Sequence, residues 1–426
     1  MTDKGLYEFL CVAIGLLVGG WLLALAVRRL RRGREDFALD VPIATAFAVR
    51  LLAAIGLGQL SAAQSLRGGD ELTFMARAED VAAVPISHAA SVDKLTSELH
   101  TFIFSLNYRV FDPLPPDLLL RVEMVTFATL GVALLAAAVY ELAGRRAGLI
   151  AAWILALEPA NIFFSSLIHK EAIMYLAEGL VVYGGAMLWK RGKVTALVPM
   201  VVGCLLAIAS RPYAGWFLAV AAAGLVLHAA LSRKHGLRSF ALASFMLILI
   251  AAFVPFALDA TSRHKLKDLQ VSQDANASDT EANLSLERVN YSTRGNVVLN
   301  LPKRIRDVIF RPYPWQTENL SQQFGLLGTL VVLAALALLA AAIARNRTTI
   351  MQKAAPLVYP AAFMLIAYAI SAGNAGTAFR YRTHIVGLAL SLVVVLFAAR
   401  REEQPAPARR FRRSQIQPIS GARTPA

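Results

Sequence analysis

Apolar residues in this chain gather into blocks of about 17 to 25 positions with few charges, and short polar stretches separate them. An α-helix needs about 20 such residues to cross a ~30 Å hydrocarbon core, whereas outer-membrane barrel strands are about half that length and alternate. The blocks run over 7–27, 41–63, 118–143, 147–165, 172–189, 194–210, 213–231, 239–258, 322–344, 354–372 and 384–399. The pattern predicts an all-α, polytopic integral membrane protein of about 11 transmembrane helices.

Charge gives this ladder a direction. The first block ends in Arg28, Arg29, Arg31, Arg32 and Arg34, while only Lys4 precedes it, which predicts a retained helix with its N-terminus outside and not a cleaved signal segment. Alternating from there, every short loop that falls inside carries two or more Lys or Arg, as at Arg145 and Arg146 or Lys190, Arg191 and Lys193. The expected organisation is one transmembrane domain over 1–399, with external loops at 64–117 and 259–320. The first loop is expected to carry short helices lying along the interface. A basic tail over 400–426 is expected to lie disordered on an anionic cytoplasmic surface. The inner membrane of a bacterium, with the working face outside, is the expected setting.

Composition agrees with the pattern. The 426 residues are 57% hydrophobic and 17% charged, with a mean hydropathy of +0.54, too apolar for a soluble enzyme of this size. The net charge of +15 resides largely at block ends, where it sets topology and does not call for nucleic acid. Cys11 and Cys204 both lie inside apolar blocks, so neither a disulfide framework nor a cysteine metal site is expected.

Topology also collects the unusual polar groups on one side. Asp70, Glu71, Glu79, Asp80, His88, His169, Lys170, Glu171, Arg211, Arg380, Arg382 and His384 all fall at external ends of blocks. Asp70 and Glu71 would suit a helix N-terminus, where the macrodipole favours carboxylates, and would equally suit a general base that deprotonates an acceptor hydroxyl, with or without a divalent cation such as magnesium or manganese. Glu79 and Asp80 repeat the acidic pair as support or as ordinary surface charge. Lys170 stands at a helix start, where the dipole disfavours it, and so suggests an anionic partner; a salt bridge to Glu158 or Glu171 is the plainer explanation. Arg380 and Arg382 have the planar fork that matches phosphate, or snorkel to the interface. Arg50 lies within the second block and is expected to face protein or snorkel. Neither a Walker A loop nor a dinucleotide-binding glycine pattern occurs, so no nucleotide cofactor is expected.

Four segments carry a family likeness: GGDELTFMARA at 68–78, EPANIFFSSLIHKEA at 158–172, RPYPW at 311–315 and GTAFRYRTH at 376–384. In them the chain resembles the C-type superfamily of polytopic membrane glycosyltransferases, which includes protein mannosyltransferases and aminoarabinose transferases. The resemblance implies an inverting, single-displacement transfer of a sugar from a polyprenyl-phosphate donor to an envelope glycan, lipid or protein. It implies Asp70, with Glu71 beside it, at the catalytic or metal-associated position, and Arg380, Arg382 and Lys170 on the donor phosphate. His169 and Arg211 would support them. Two alternatives stay open: an envelope polysaccharide polymerase or ligase, leaning on the arginines and His169, and a transporter or flippase of lipid-linked sugars.

Overall fold

The computed structural model describes residues 3–59, 69–92, 98–111, 115–232, 289–316, 320–373 and 375–403, with isolated positions between 259 and 287. The expected eighth span at 239–258 and most of the basic tail lie outside the described residues. The helices are α1 (Asp3–Arg31), α2 (Asp40–Gln59), α3 (Gly69–Ala83), α4 (Ile86–Val92), α5 (Leu99–Val110), α6 (Asp117–Ala156), α7 (Pro159–Ser165), α8 (Glu171–Arg191), α9 (Leu197–Ser210), α10 (Pro212–Ser232), α11 (Arg294–Phe310), α12 (Leu320–Asn346), α13 (Ile350–Ser371) and α14 (Ala375–Glu403). No strand occurs among the described residues. Among the described residues eight helices are long and apolar enough to cross a membrane, and α9 is a shorter apolar one. The protein is therefore an all-α, multi-pass membrane protein.

The 40-residue α6 is two legs. Its helical dihedrals fail at Ala143 and at Gly144, whose φ of 81° lies in the left-handed region that glycine tolerates. A Cβ on Gly148 would come within 2.7 Å of the Cβ of Tyr140, a contact that eight residues of straight helix, about 12 Å long, could not make. The chain therefore doubles back here, and the expected third and fourth blocks are these two legs. The second leg breaks again at Leu157 and Glu158, then resumes as α7. Glu158 caps α7 by accepting hydrogen bonds from the amides of Ala160 and Asn161. Arg50 of α2 closes the other side of the break: its guanidinium donates to the carbonyls of Leu155 and Ala156, at 3.1 and 3.0 Å, and to Asn161 Oδ1 at 2.6 Å. Fully buried, Arg50 faces protein.

Small residues let the legs pack closely. Gly131 on α6 meets the backbone of Tyr175 on α8, and the alanine-rich first leg forms the main core with α2, α8 and α14. The first loop supplies α3, α4 and α5; Phe74, Ala78 and Phe104 pack on Leu120, Met124, Ile168 and Ile173, fastening α3 and α5 across the starts of α6 and α8. Charged groups then gather at opposite ends of the bundle. At one end Glu141 accepts from both Arg34 and Arg191, tying the α1–α2 connection to α6 and α8. At the other lie the residues described next.

Candidate functional site

Six of the residues expected at the outer rim meet in one cluster, with Glu171 at its centre. Glu171 begins α8, where its charge complements the exposed amides. One of its oxygens, Oε1, accepts from Arg211 Nη2 at 2.5 Å and from Arg380 Nε at 3.0 Å. Arg211 sits in the break between α9 and α10, and Arg380 comes from the first turns of α14. The far side of the Arg380 guanidinium donates from Nη1 to Asp70 Oδ2 at 2.5 Å. Segments more than 300 residues apart in sequence are thus joined through one arginine. His169 Nδ1 lies 3.8 Å from Glu171 Oε2, and Lys170 places its ammonium 5.4 Å from the Phe74 ring centroid.

Exposure separates the members by role. Glu171, Arg211 and His169 are buried, whereas the Asp70 side chain is 54% exposed and Lys170 is half-buried. Burial pushes the Asp70 carboxyl up, and the adjacent Arg380 outweighs it, so the group is held below the usual carboxylate range. Burial, with help from Arg380, pushes the His169 imidazole down to about 4. Burial also pushes His100, across the Phe74 ring, down to about 2. Both histidines are neutral near pH 7. Lys170 is lowered by burial and then by Arg211, yet no carboxylate lies within 4 Å of it among the described residues. Glu98, the nearest candidate, already holds Arg77 at 2.6 Å. Two carboxylates, Asp70 and Glu171, thus face three cations, Lys170, Arg211 and Arg380.

The remaining expected residues stand elsewhere. Glu71 turns away from Asp70 and is buried, one oxygen accepting from Arg121 Nη2 at 2.7 Å and the other from the Ile168 amide at 2.8 Å. Arg121 also donates to the Ser166 carbonyl, so this pair fixes α3 on the α7–α8 turn. A cation shared by Asp70 and Glu71 does not fit this arrangement, because Glu71 would have to give up both contacts. No group of three His, Cys, Asp or Glu residues that could hold a metal occurs among the described residues. Arg382 is likewise buried away from Arg380, donating to the carbonyls of Ile309 and Arg311 and to Thr329 Oγ1 at 2.8 to 3.0 Å. Glu79 and Asp80 lie on the exposed face of α3, outside the cluster.

Two cavities flank these residues. One of about 750 Å³ lies between α1, α2, α3, α5 and the start of α6, with Arg121 and Tyr108 in its wall. The other, about 220 Å³, is an apolar groove between α12, α13 and α14 that has Arg382 in its lining. Sequence reasoning passed over Arg121, whose signal was a lone arginine near the start of an apolar block, and gave Glu171 no assigned role. Comparison of the chain with protein-family models, with curated proteins and with solved structures yields no match. The chemistry has to be read from the cluster itself.

Proposed function

We propose that the protein is a membrane glycosyltransferase that takes its sugar from a polyprenyl-phosphate carrier on the outer face of a bacterial inner membrane. The surplus cation carries this reading. With the two histidines neutral, the cluster sets Lys170, Arg211 and Arg380 against Asp70 and Glu171, which suits it to one further anionic group, and the half-exposed Asp70 carboxylate suits it to a hydroxyl. A lipid phosphate at the membrane rim would supply the anion, and the apolar groove along α14 has the character that a prenyl chain requires. The C-type glycosyltransferase resemblance points the same way.

In this reading the acceptor hydroxyl gives its proton to Asp70 as its oxygen attacks the anomeric carbon, while the bond from that carbon to the phosphate oxygen breaks and its electron pair leaves with the carrier phosphate. Lys170 and Arg380 stabilise the charge that builds on the departing phosphate. Arg380 also links the two events. While it holds Asp70 the carboxylate is a poor base; when a donor phosphate draws the guanidinium away, the carboxyl rises and becomes a better one. Glu171 and Arg211 position Arg380. Acceptor identity, whether glycan, lipid or protein, is not specified by these contacts, and a polymerase or ligase acting on carrier-linked glycans would use the same groups.

The test is transfer from a panel of undecaprenyl-phosphate hexoses to an envelope extract by purified protein in lipid nanodiscs. Transfer should occur with the wild type and fall by about 100-fold or more with Asp70→Asn. Full transfer by that variant would remove Asp70 from the chemistry, and absence of undecaprenyl phosphate binding to the wild type would remove the donor class.

A further inference from the structure

Below the outer cluster a second polar group is enclosed by the helices. Glu178 lies seven residues along α8 from Glu171, roughly 10 Å deeper, and His384 lies one turn along α14 from Arg380. His384 Nδ1 and Glu178 Oε2 are 3.2 Å apart, and both side chains are essentially inaccessible. Their outer atoms, Glu178 Oε1 and His384 Nε2, have no hydrogen-bond partner among the described residues, and neither do the hydroxyls of Tyr175 and Tyr368 around them. Gly387, one turn beyond His384, leaves room at Tyr175: a Cβ there would stand 2.9 Å from the Tyr175 hydroxyl.

Polar groups continue from this pair to the cluster. The Tyr368 ring is 5.5 Å from the His384 ring and stacks on Tyr381 at 4.6 Å; Tyr381 accepts or donates a hydrogen bond with Tyr213 at 2.7 Å. The Arg211 guanidinium lies 4.6 Å from the Tyr381 ring centroid and reaches Glu171. Along this line Arg211 Nη1, Ser210 Oγ and Glu171 Oε2 are also buried without a hydrogen-bond partner among the described residues. On the opposite side Arg50 and Glu158 stand behind Tyr175. An unsatisfied polar atom in a bilayer costs several kcal/mol, so a run of them in one column points to bound water.

We propose that Glu178 and His384 form a proton-binding site inside the bundle that exchanges protons with the Asp70 end through water held along Tyr368, Tyr381 and Arg211. A carboxylate and an imidazole sharing one hydrogen bond can hold a proton on either partner, and intramembrane acids paired with histidine are the groups from which proton relays are built. The site stands whether the outer cluster transfers a sugar or moves one, so its failure and the failure of the transferase reading are separate results.

Full-length protein labelled with ¹⁵N-histidine and reconstituted in phosphatidylcholine liposomes tests it by solid-state NMR, with the His384 signal assigned by its loss in His384→Asn. The signal should show a ring-nitrogen proton that exchanges in D₂O, and Tyr368→Phe should slow that exchange. No exchange, or an exchange rate that Tyr368→Phe leaves unchanged, overturns the proposal. Should His384→Asn fail to fold, dicyclohexylcarbodiimide, which attacks protonated buried carboxyls, reads the same site in the wild type by mass spectrometry. An adduct on Glu178 supports the proposal; labelling of other carboxyls with none on Glu178 overturns it.

Discussion

Asp70 and Glu71 are adjacent in the chain, yet they belong to different regions of the molecule. Glu71 sits with Arg121 in a closed arrangement, accepting from its guanidinium and from the Ile168 amide, and the buried Arg50 and Arg382 are likewise tied to backbone carbonyls of other segments. Asp70 sits with Arg380 in an open arrangement, where the carboxylate reaches solvent. A buried arginine tied to carbonyls holds helices in place. An arginine tied to a half-exposed carboxylate can exchange that partner for a ligand.

Breaking the closed region should have the largest effect. Arg121→Ala takes from the buried Glu71 its arginine partner, a loss of about 3–5 kcal/mol, and we expect little folded protein on size exclusion in detergent. Asp70→Asn should spare folding, because a partly exposed pair contributes about 1 kcal/mol or less, while abolishing most transfer. A protein whose melting temperature dropped as far with Asp70→Asn as with Arg121→Ala would erase the distinction between the two regions.

Acid should act next most strongly. His169 is depressed from about 6.5 to about 4, so between those values the unfolded chain binds a proton that the folded one does not, and stability falls as pH falls through that window. Asp70, held below its ordinary value, loses its contribution below that range as it protonates. The melting temperature should therefore decline from about pH 6.5 to pH 4, with a flatter profile in His169→Gln; an unchanged slope in that variant would relocate the titrating group. The smallest effect on folding is expected for Lys170→Met. It removes the surplus cation, so the melting temperature should hold or rise while undecaprenyl phosphate binds about 10-fold more weakly. Unaltered binding would shift the anion site to Arg380 alone.

The apolar helices, the short helices of the first loop and the gathering of Asp70, Lys170, Arg211 and Arg380 at one end of the bundle are legible in hydropathy and charge, because membrane crossings force distant polar ends onto common sides. Orientation of neighbouring residues is not legible that way. Consecutive helical residues point about 100° apart and residues two apart about 200°, so Glu71 leaves Asp70 and Arg382 leaves Arg380 once α3 and α14 form. The partners that claim them, Arg121 and the Arg311 carbonyl, are set by packing across more than 40 residues. Glu178 is a lone charge in an apolar run and His384 closes the polar stretch Arg380–Thr383, and only the approach of α8 to α14 makes them a pair.

The interruption at Leu157 and Glu158 has a consequence for permeability. A broken helix at membrane depth exposes carbonyls on one side and amides on the other, an inviting path for water and ions. Here a guanidinium from α2 covers the carbonyls and a carboxylate covers the amides, so the polar groups freed by the break are met by protein on both sides. A cell carrying Arg50→Ala would then show its defect as leak as well as loss of fold.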